Sequence, residues 1–333
     1  MTTFSNDNEL KIDAVITWVD GNDPVWQEKI NQYKKVKLNF KSESYKKRYN
    51  SIGEVDIAIK AIIKFANFIK NIYLVTDNQK PEKFESLKKL AQKNGMNLHL
   101  VDHKIIFRDY EKCLPTFNSC SIGCMLYRIP NLAEHFILFN DDTFIMRTTK
   151  PSDFFINGKP IIRGKKELFR EDRLLRSYYH SFLKFLGKEP KEKNSSFKNF
   201  QETSVKLAYG GKPKHYVRRL HTPVCIRKST LKNFFEKNKV LEENIKHQFR
   251  DKSQFIISSL SEHLELKETR ENYRSDSQLT YFRSYKRPWL VRRKLHQFLN
   301  DSNKLFMTFQ SLDMADKDTF SYISNWINQR IRF

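Results

Sequence analysis

Glycine supplies 9 of the 333 residues, proline 10 and cysteine 4. The chain has no G-x-x-x-x-G-K-[ST] phosphate loop, no G-x-G-x-x-G dinucleotide turn, no G-x-S-x-G elbow and no H-E-x-x-H zinc helix. These absences remove the commonest nucleotide-binding, hydrolase and metalloprotease readings. Cys113, Cys120, Cys124 and Cys225 form no C-x-x-C pair and are too sparse for a disulfide scaffold, so reduced thiols in a cytoplasm are expected. No run approaches the roughly 18 uncharged apolar residues of a membrane span. The opening MTTFSNDNEL lacks the basic and apolar regions of a secretory leader. Any membrane contact is therefore expected to be peripheral.

Aromatic side chains are plentiful, with 27 Phe and 14 Tyr, and hydrophobic residues make up 39%. A chain of this length and composition can bury its own core. Charge is lopsided: residues 1–150 hold 23 of the 61 basic and 18 of the 38 acidic residues, so +18 of the net +23 falls beyond residue 150. Such a surface attracts phosphates, acidic polysaccharide, nucleic acid or an anionic membrane face, and the charge alone does not choose among them.

Ile12 to Val19 is a short β-branched run closed by the turn residues Asp20-Gly21-Asn22-Asp23-Pro24, and reads as a buried strand. Apolar residues at helical spacing from Glu54 to Ile69 precede a strand at 71–76. A helix over Pro81–Gln92, a break at Gly95 and a strand at 97–101 follow. His135 to Asn140 is a near-continuous apolar run of the kind found in a central strand covered on both faces. This alternation predicts an α/β fold with a largely parallel central sheet, in which ligands gather at the carboxyl ends of the strands. Those ends carry Asp20, Asp77, Asp102 and Asp141. Beyond residue 150 a basic, mainly helical elaboration is expected, with helical spacing over Leu231–Phe249 and Ser284–Leu299.

Asn140-Asp141-Asp142 is the leading chemical candidate, because adjacent carboxylates at a strand tip offer hard oxygen ligands to Mg²⁺ or Mn²⁺ and leave room for a diphosphate. Asn and Asp are also ordinary turn formers, so the triplet by itself is more often a plain strand-end turn than a metal site, and its setting at the end of a buried strand is what favours the metal. Trp18, Asp20 and Gly21 sit where a first strand meets its ligand, an aromatic ring and a glycine suiting a nucleotide; a buried Trp and a plain turn are the alternative. His221, beside Arg218 and Arg219, is the candidate general base. Arg250 suits phosphate oxygens, or an ion pair with Asp251.

Four blocks taken together resemble the Stealth family. They are Ile12-Asp-Ala-Val-Ile-Thr-Trp-Val-Asp-Gly-Asn-Asp-Pro24, then Ile72 to Pro81 with Leu114 to Ser119 and Arg128 to Asp142, then Leu220-His-Thr-Pro223 through Arg250, and Lys304 to Gln310. The resemblance implies a glycosyltransferase-A-like core, with residues 1–150 as a nucleotide-sugar and metal-binding half and 151–333 completing one catalytic unit. It implies a capsular polysaccharide phosphotransferase that moves N-acetylhexosamine-1-phosphate from a UDP-sugar to a sugar hydroxyl and releases UMP. It implies metal ligation by Asp141 and Asp142, catalytic roles for Asp142, His221, Arg250 and Asp77, and substrate contacts at Trp18, Asp20, Gly21, His103, Asn118 and Arg128. Where it leads one to expect an acidic residue, a His and two Arg, this chain has Gly123, Cys120, Asp56 and Lys60, so its acceptor side is expected to differ.

The expected partners are the UDP-sugar, an oligosaccharide or polysaccharide acceptor, and peripherally the inner membrane or capsule assembly machinery. The basic stretch from Tyr285 to Lys294 is the expected membrane or polymer contact. Two other readings remain at this stage. One is a metal-dependent glycosyltransferase that releases UDP. The other is a basic binding protein for anionic polymer, although no nucleic-acid module is visible and nucleic acid is not an expected partner.

Overall fold

The computed structural model describes residues 10–333 apart from 44, 46–48, 50–52, 173–184 and 187–195. The opening segment and part of the basic region expected to be mainly helical lie outside the described residues.

Four strands build the centre: β1 (Ile12–Thr17), β2 (Ile69–Thr76), β3 (Asn97–Asp102) and β4 (His135–Asn140). β1 pairs in parallel with β2 and with β4, and β2 in parallel with β3. The order across the sheet is therefore β4-β1-β2-β3, and the strand Val224–Arg227 adds antiparallel to the outer edge of β4. The alternation of apolar residues explains the layers. Ile12, Ala14 and Ile16 point into one core with Leu74, Ile137, Phe139 and the helix Glu54–Phe65. Val15, Tyr73, Val75, Phe136 and Leu138 fill the opposite core, under the helices Ser119–Met125 and Ile257–Glu268. Both faces are covered, as the nearly uninterrupted apolar runs require.

Several helix boundaries differ from the sequence reading, beginning with the helix expected from Glu54 to Ile69. The first helix stops at Phe65 because Thr149, through both its N–H and its hydroxyl, donates to the Phe65 carbonyl; Ile69 then starts β2 instead of ending the helix. The stretch 231–249 breaks at Asn238, which turns extended while its side chain donates to the Phe234 carbonyl. The basic helix starts at Pro288, a residue suited to a first turn, and runs to Asn300.

A buried histidine gives the fold a pH dependence. His263 is 1% exposed; its Nδ1–H donates to the Ser259 carbonyl (2.8 Å) and its Nε2 accepts from the Val217 N–H (3.1 Å). Burial holds its pKa at about 4, below the ordinary 6.5. Between those values the unfolded chain binds the extra proton and the native ring does not, so stability is complete above pH 6.5 and is lost as pH falls toward 4. Going from pH 7 to pH 5 should cost about 2 kcal/mol through this residue. Denaturant titrations of the wild type and His263→Gln should show that difference in pH slope; equal slopes would contradict it.

Candidate functional site

The order β4-β1-β2-β3 means that successive connections leave β1 in opposite directions, and a crevice opens where the order reverses, between the carboxyl ends of β1 and β4. Thr17 at the end of β1 is in register with Asn140 at the end of β4, so Trp18-Val19 and Asn140-Asp141-Asp142 emerge side by side. A cleft of about 420 Å³ lies there, lined by those residues and by His103, Ser119, Cys120, Phe197, His221, Arg250 and Gln310. Three chain regions far apart in sequence thus meet at the rim of β4.

The site is acidic at its floor. Burial, then repulsion from Asp142 and from Glu54, pushes the Asp141 carboxyl up to about 8. Asp142 is raised by burial as well, opposed by His221 and by the Thr143 hydroxyl donating to its Oδ1 (3.2 Å). Two crowded carboxylates with no cation in contact among the described residues are a destabilising arrangement that a divalent ion would relieve, so the residues fit such a metal. No group of three or more His, Cys, Asp or Glu surrounds the point among the described residues; the pair would supply two oxygens and leave positions for a ligand.

Two imidazoles face the cleft. His221 stacks on Tyr281 (5.5 Å between centroids) and packs on Phe197, while the Thr308 hydroxyl donates to its carbonyl (2.7 Å). Burial lowers its pKa, against the pull of Asp142, so the ring is neutral near pH 7. Burial also lowers His103, opposed by Asp77 and Asp102. Nδ1 of each ring is buried without a hydrogen-bond partner. Arg250 donates to the Ser119 hydroxyl through one amino group (2.7 Å), which leaves further donors facing the cleft.

Of the residues singled out in the sequence, Trp18, His103, Asp141, Asp142, His221 and Arg250 line the cleft. The others are placed around it or away from it. Asp77 is paired with Lys29 (2.6 Å) on the rim. Asp20 is held by Gln79 on both its N–H and its carbonyl, and its carboxylate accepts from the Asn22 N–H. Gly21 does provide a close approach, but to Tyr49: a Cβ there would lie 2.1 Å from the Tyr49 carbonyl oxygen. Asn118 is fully buried; it caps the helix Ser119–Met125 and donates to the His247 carbonyl and to Gln254, and so ties the Ser119 wall to the loop carrying Arg250. Arg128 pairs with Asp109 (2.9 Å) and does not line the cleft. Gly123 packs so closely on Ile257, 3.1 Å from an added Cβ, that a larger side chain there requires Ile257 to move.

Sequence reasoning missed Glu54, whose charge acts on Asp141 from the first turn of its helix, together with Phe197, Tyr281 and Gln310. The block Lys304–Gln310 held the signal for Gln310. It folds as the strand Phe306–Phe309 beside Thr143–Ile145, and the Phe309 N–H donates to the Asp142 carbonyl (3.2 Å).

Residues 10–35 match the model of Stealth protein CR1, conserved region 1, and residues 48–161 that of Stealth protein CR2, conserved region 2. The capsular polysaccharide phosphotransferase WcwK of Streptococcus pneumoniae is 41% identical over 147 residues, 44% of this chain and 41% of that protein. The capsular polysaccharide phosphotransferase cps1A of Actinobacillus pleuropneumoniae is 40% identical over 151 residues, 44% of this chain and 39% of that protein. The match thus spans about two fifths of the length of these curated relatives. Among solved structures, the galactosyltransferase LgtC aligns with a TM-score of 0.46 at 8% identity, over 96% of this chain and 95% of that one. The bifunctional glycosyltransferase WbbM aligns with a TM-score of 0.46 at 11% identity, over 99% and 53%. The two matched Stealth regions carry the cleft residues, Trp18 in the first and His103, Asp141 and Asp142 in the second.

Proposed function

We propose that this chain transfers N-acetylhexosamine-1-phosphate from a UDP-sugar to a hydroxyl of a growing polysaccharide and releases UMP. The observation that carries the reading is the meeting of Asp141 and Asp142 with His221 and Arg250 in one cleft at the sheet's switch point. The phosphotransferase names of the relatives support the reaction class.

In this reading Asp141 and Asp142 hold Mg²⁺ or Mn²⁺, which supplies charge neutralisation at the diphosphate when bound. The neutral His221 imidazole accepts the proton of the attacking hydroxyl, and stacking on Tyr281 fixes its plane. The new bond joins the acceptor oxygen to the β-phosphorus; the bond from that phosphorus to the bridging oxygen breaks, and the electron pair leaves on UMP. Arg250 meets the phosphoryl oxygens as charge develops. Purified protein incubated with a UDP-N-acetylhexosamine and an oligosaccharide acceptor should yield UMP and a phosphodiester resonance in phosphorus NMR. EDTA should abolish both, and Mg²⁺ should restore them. Release of UDP would overturn phosphotransfer in favour of glycosidic bond formation.

For membrane contact, the face around the helix Pro288–Asn300 is the candidate. Lys286, Arg287, Arg292 and Arg293 are exposed there beside Trp289, which is 58% exposed. Lys294 is not part of that face, because its ammonium donates to the Tyr281 carbonyl (2.7 Å). No helix among the described residues is long and apolar enough to cross a membrane. Changing the four cations to Gln should weaken co-sedimentation with vesicles rich in anionic phospholipid at least tenfold, at about 1 kcal/mol per charge. Unchanged sedimentation would exclude the face as a membrane contact.

A further inference from the structure

A second cavity, of about 310 Å³, shares no lining residue with the Asp141 cleft. Its volume lies at the lower end of the range for small-ligand pockets. It forms where the two-stranded ribbon of Lys165–Glu167 and Tyr216–Arg218 meets the end of the helix Ile257–Glu268. Val217, Leu266 and Ile162 pack together under it with Tyr273, and His263 closes its floor.

Its chemistry is one-sided. Lys166, Lys214 and Arg270 line it with exposed head groups, and no acidic residue does. None of the three has an ion-pair partner among the described residues. The cations around it are treated differently: Lys212 pairs with Asp172 (2.6 Å) and Glu171 (3.1 Å), and Lys198 and Arg218 both pair with Glu167. The fold therefore neutralises the neighbouring cations and leaves these three facing one hollow. The register shows how Lys166 comes to be there: it stands opposite Val217 on the ribbon, on the side of the Val217 and Leu266 cluster.

Aromatic surface completes the site. Tyr209 and Tyr273 line the cavity, each half-buried. The Tyr273 hydroxyl donates to the Gly164 carbonyl (3.0 Å), which fixes that ring, whereas the Tyr209 hydroxyl has no hydrogen-bond partner among the described residues. Flat amphipathic rings beside unpaired cations suit a sugar joined to a phosphate: the ring packs on tyrosine while the anion takes charge-assisted hydrogen bonds. A nucleic acid would offer phosphates too, but the hollow is compact, about 310 Å³, not a long groove that tracks a backbone.

We propose that this cavity binds a sugar phosphodiester unit of an anionic glycan, with the phosphate among Lys166, Lys214 and Arg270 and the sugar against Tyr209 and Tyr273. It performs no chemistry. The strand Tyr216–Arg218 continues through Arg219 and Leu220 to His221, so the cavity and the transfer cleft lie at two ends of one short segment. Glycan held here is kept near the cleft between additions. The choice of a glycan over other phosphates rests on the transfer reading above; the anion-binding geometry does not.

The test is direct binding, by calorimetry, of a synthetic oligosaccharide of N-acetylhexosamine units joined by phosphodiesters. The same sugars without phosphate, and inorganic phosphate alone, are the comparison probes. The double variant Asp141→Asn, Asp142→Asn should keep the phosphodiester site. Adding Lys166→Gln, Lys214→Gln and Arg270→Gln to it should weaken that site at least tenfold, with an unchanged circular dichroism spectrum, since all three side chains are exposed. In the otherwise unaltered enzyme the three Gln changes should leave single addition to a short acceptor intact and shorten the products. Equal binding after the three changes, or equal binding of the neutral sugars, would overturn the proposal. Inorganic phosphate binding as tightly as the oligosaccharide would overturn its sugar half. Binding with no UMP release under any condition would instead remove the transfer reading and leave this site standing.

Discussion

Replacing Asp141 with asparagine is expected to lower transfer by about 10²–10³-fold, the scale on which removing one group that stabilises transition-state charge acts. In metal-free buffer the same change is expected to raise the melting temperature. Both expectations follow from one arrangement. Asp141 sits beside Asp142 and within reach of Glu54, in surroundings that disfavour its ionised form. An asparagine keeps the shape and hydrogen-bonding edge but is neutral without having to bind a proton beside Asp142 and Glu54. The wild type is stabilised instead by adding what the carboxylates lack, so Mg²⁺ should raise its melting temperature and leave that of Asp141→Asn little changed. Melting curves with EDTA and with Mg²⁺, together with UMP release by both proteins, check this. An asparagine variant that still transfers would remove Asp141 from the site; one that loses both activity and stability would make Asp141 a structural residue.

The part of this site that could be read from sequence is the part made by single strands. β4 ends where the apolar run His135–Asn140 ends, and the following carboxylates emerge at the rim because a buried parallel strand has nowhere else to put them. The partners across the cleft could not be read that way. The strand Val224–Arg227 is only four residues long and extends the sheet by pairing with β4, a tertiary fact with no local signature. His221 lies just before that strand, confined by Phe197 and Tyr281, which are 24 and 60 residues away in sequence. Glu54 reads as an ordinary acidic first-turn residue until the fold brings it toward Asp141. Asn118 and Gly21 reverse the lesson. They stood in the blocks that suggested substrate contact, yet one ties two loops together and the other clears the Tyr49 carbonyl. A motif marks what the site needs, which includes the residues that hold its walls in place.

Arg219 is one of those holding residues, and Arg219→Met should destabilise the protein by about 3–5 kcal/mol, the cost of stranding one partner of a buried ion pair. Arg219 and Glu262 are each 4% exposed in their side chains, and the Arg219 Nε–H donates to Glu262 Oε1 (3.3 Å). A terminal amino group of Arg219 donates to the Thr222 carbonyl (2.6 Å), and its backbone N–H donates to Gln201 (2.9 Å). The guanidinium therefore fixes the turn that carries His221 while neutralising a carboxylate whose other oxygen is buried without a partner. Burial already raises the Glu262 pKa, with Arg219 opposing. Without the arginine that carboxyl binds its proton more tightly folded than unfolded. The lost stability should then grow as pH rises above the unfolded carboxyl value, so Arg219→Met should be closer to wild type at pH 5 than at pH 8. The double variant Arg219→Met, Glu262→Leu should recover most of the stability, because two apolar side chains of similar volume leave no charge behind. It should not recover the rate, because the Thr222 carbonyl has lost its donor and His221 its fixed turn. Urea titrations of both variants at the two pH values, with transfer assays beside them, separate the two roles. Full recovery of rate in the double variant would show that Arg219 serves stability alone.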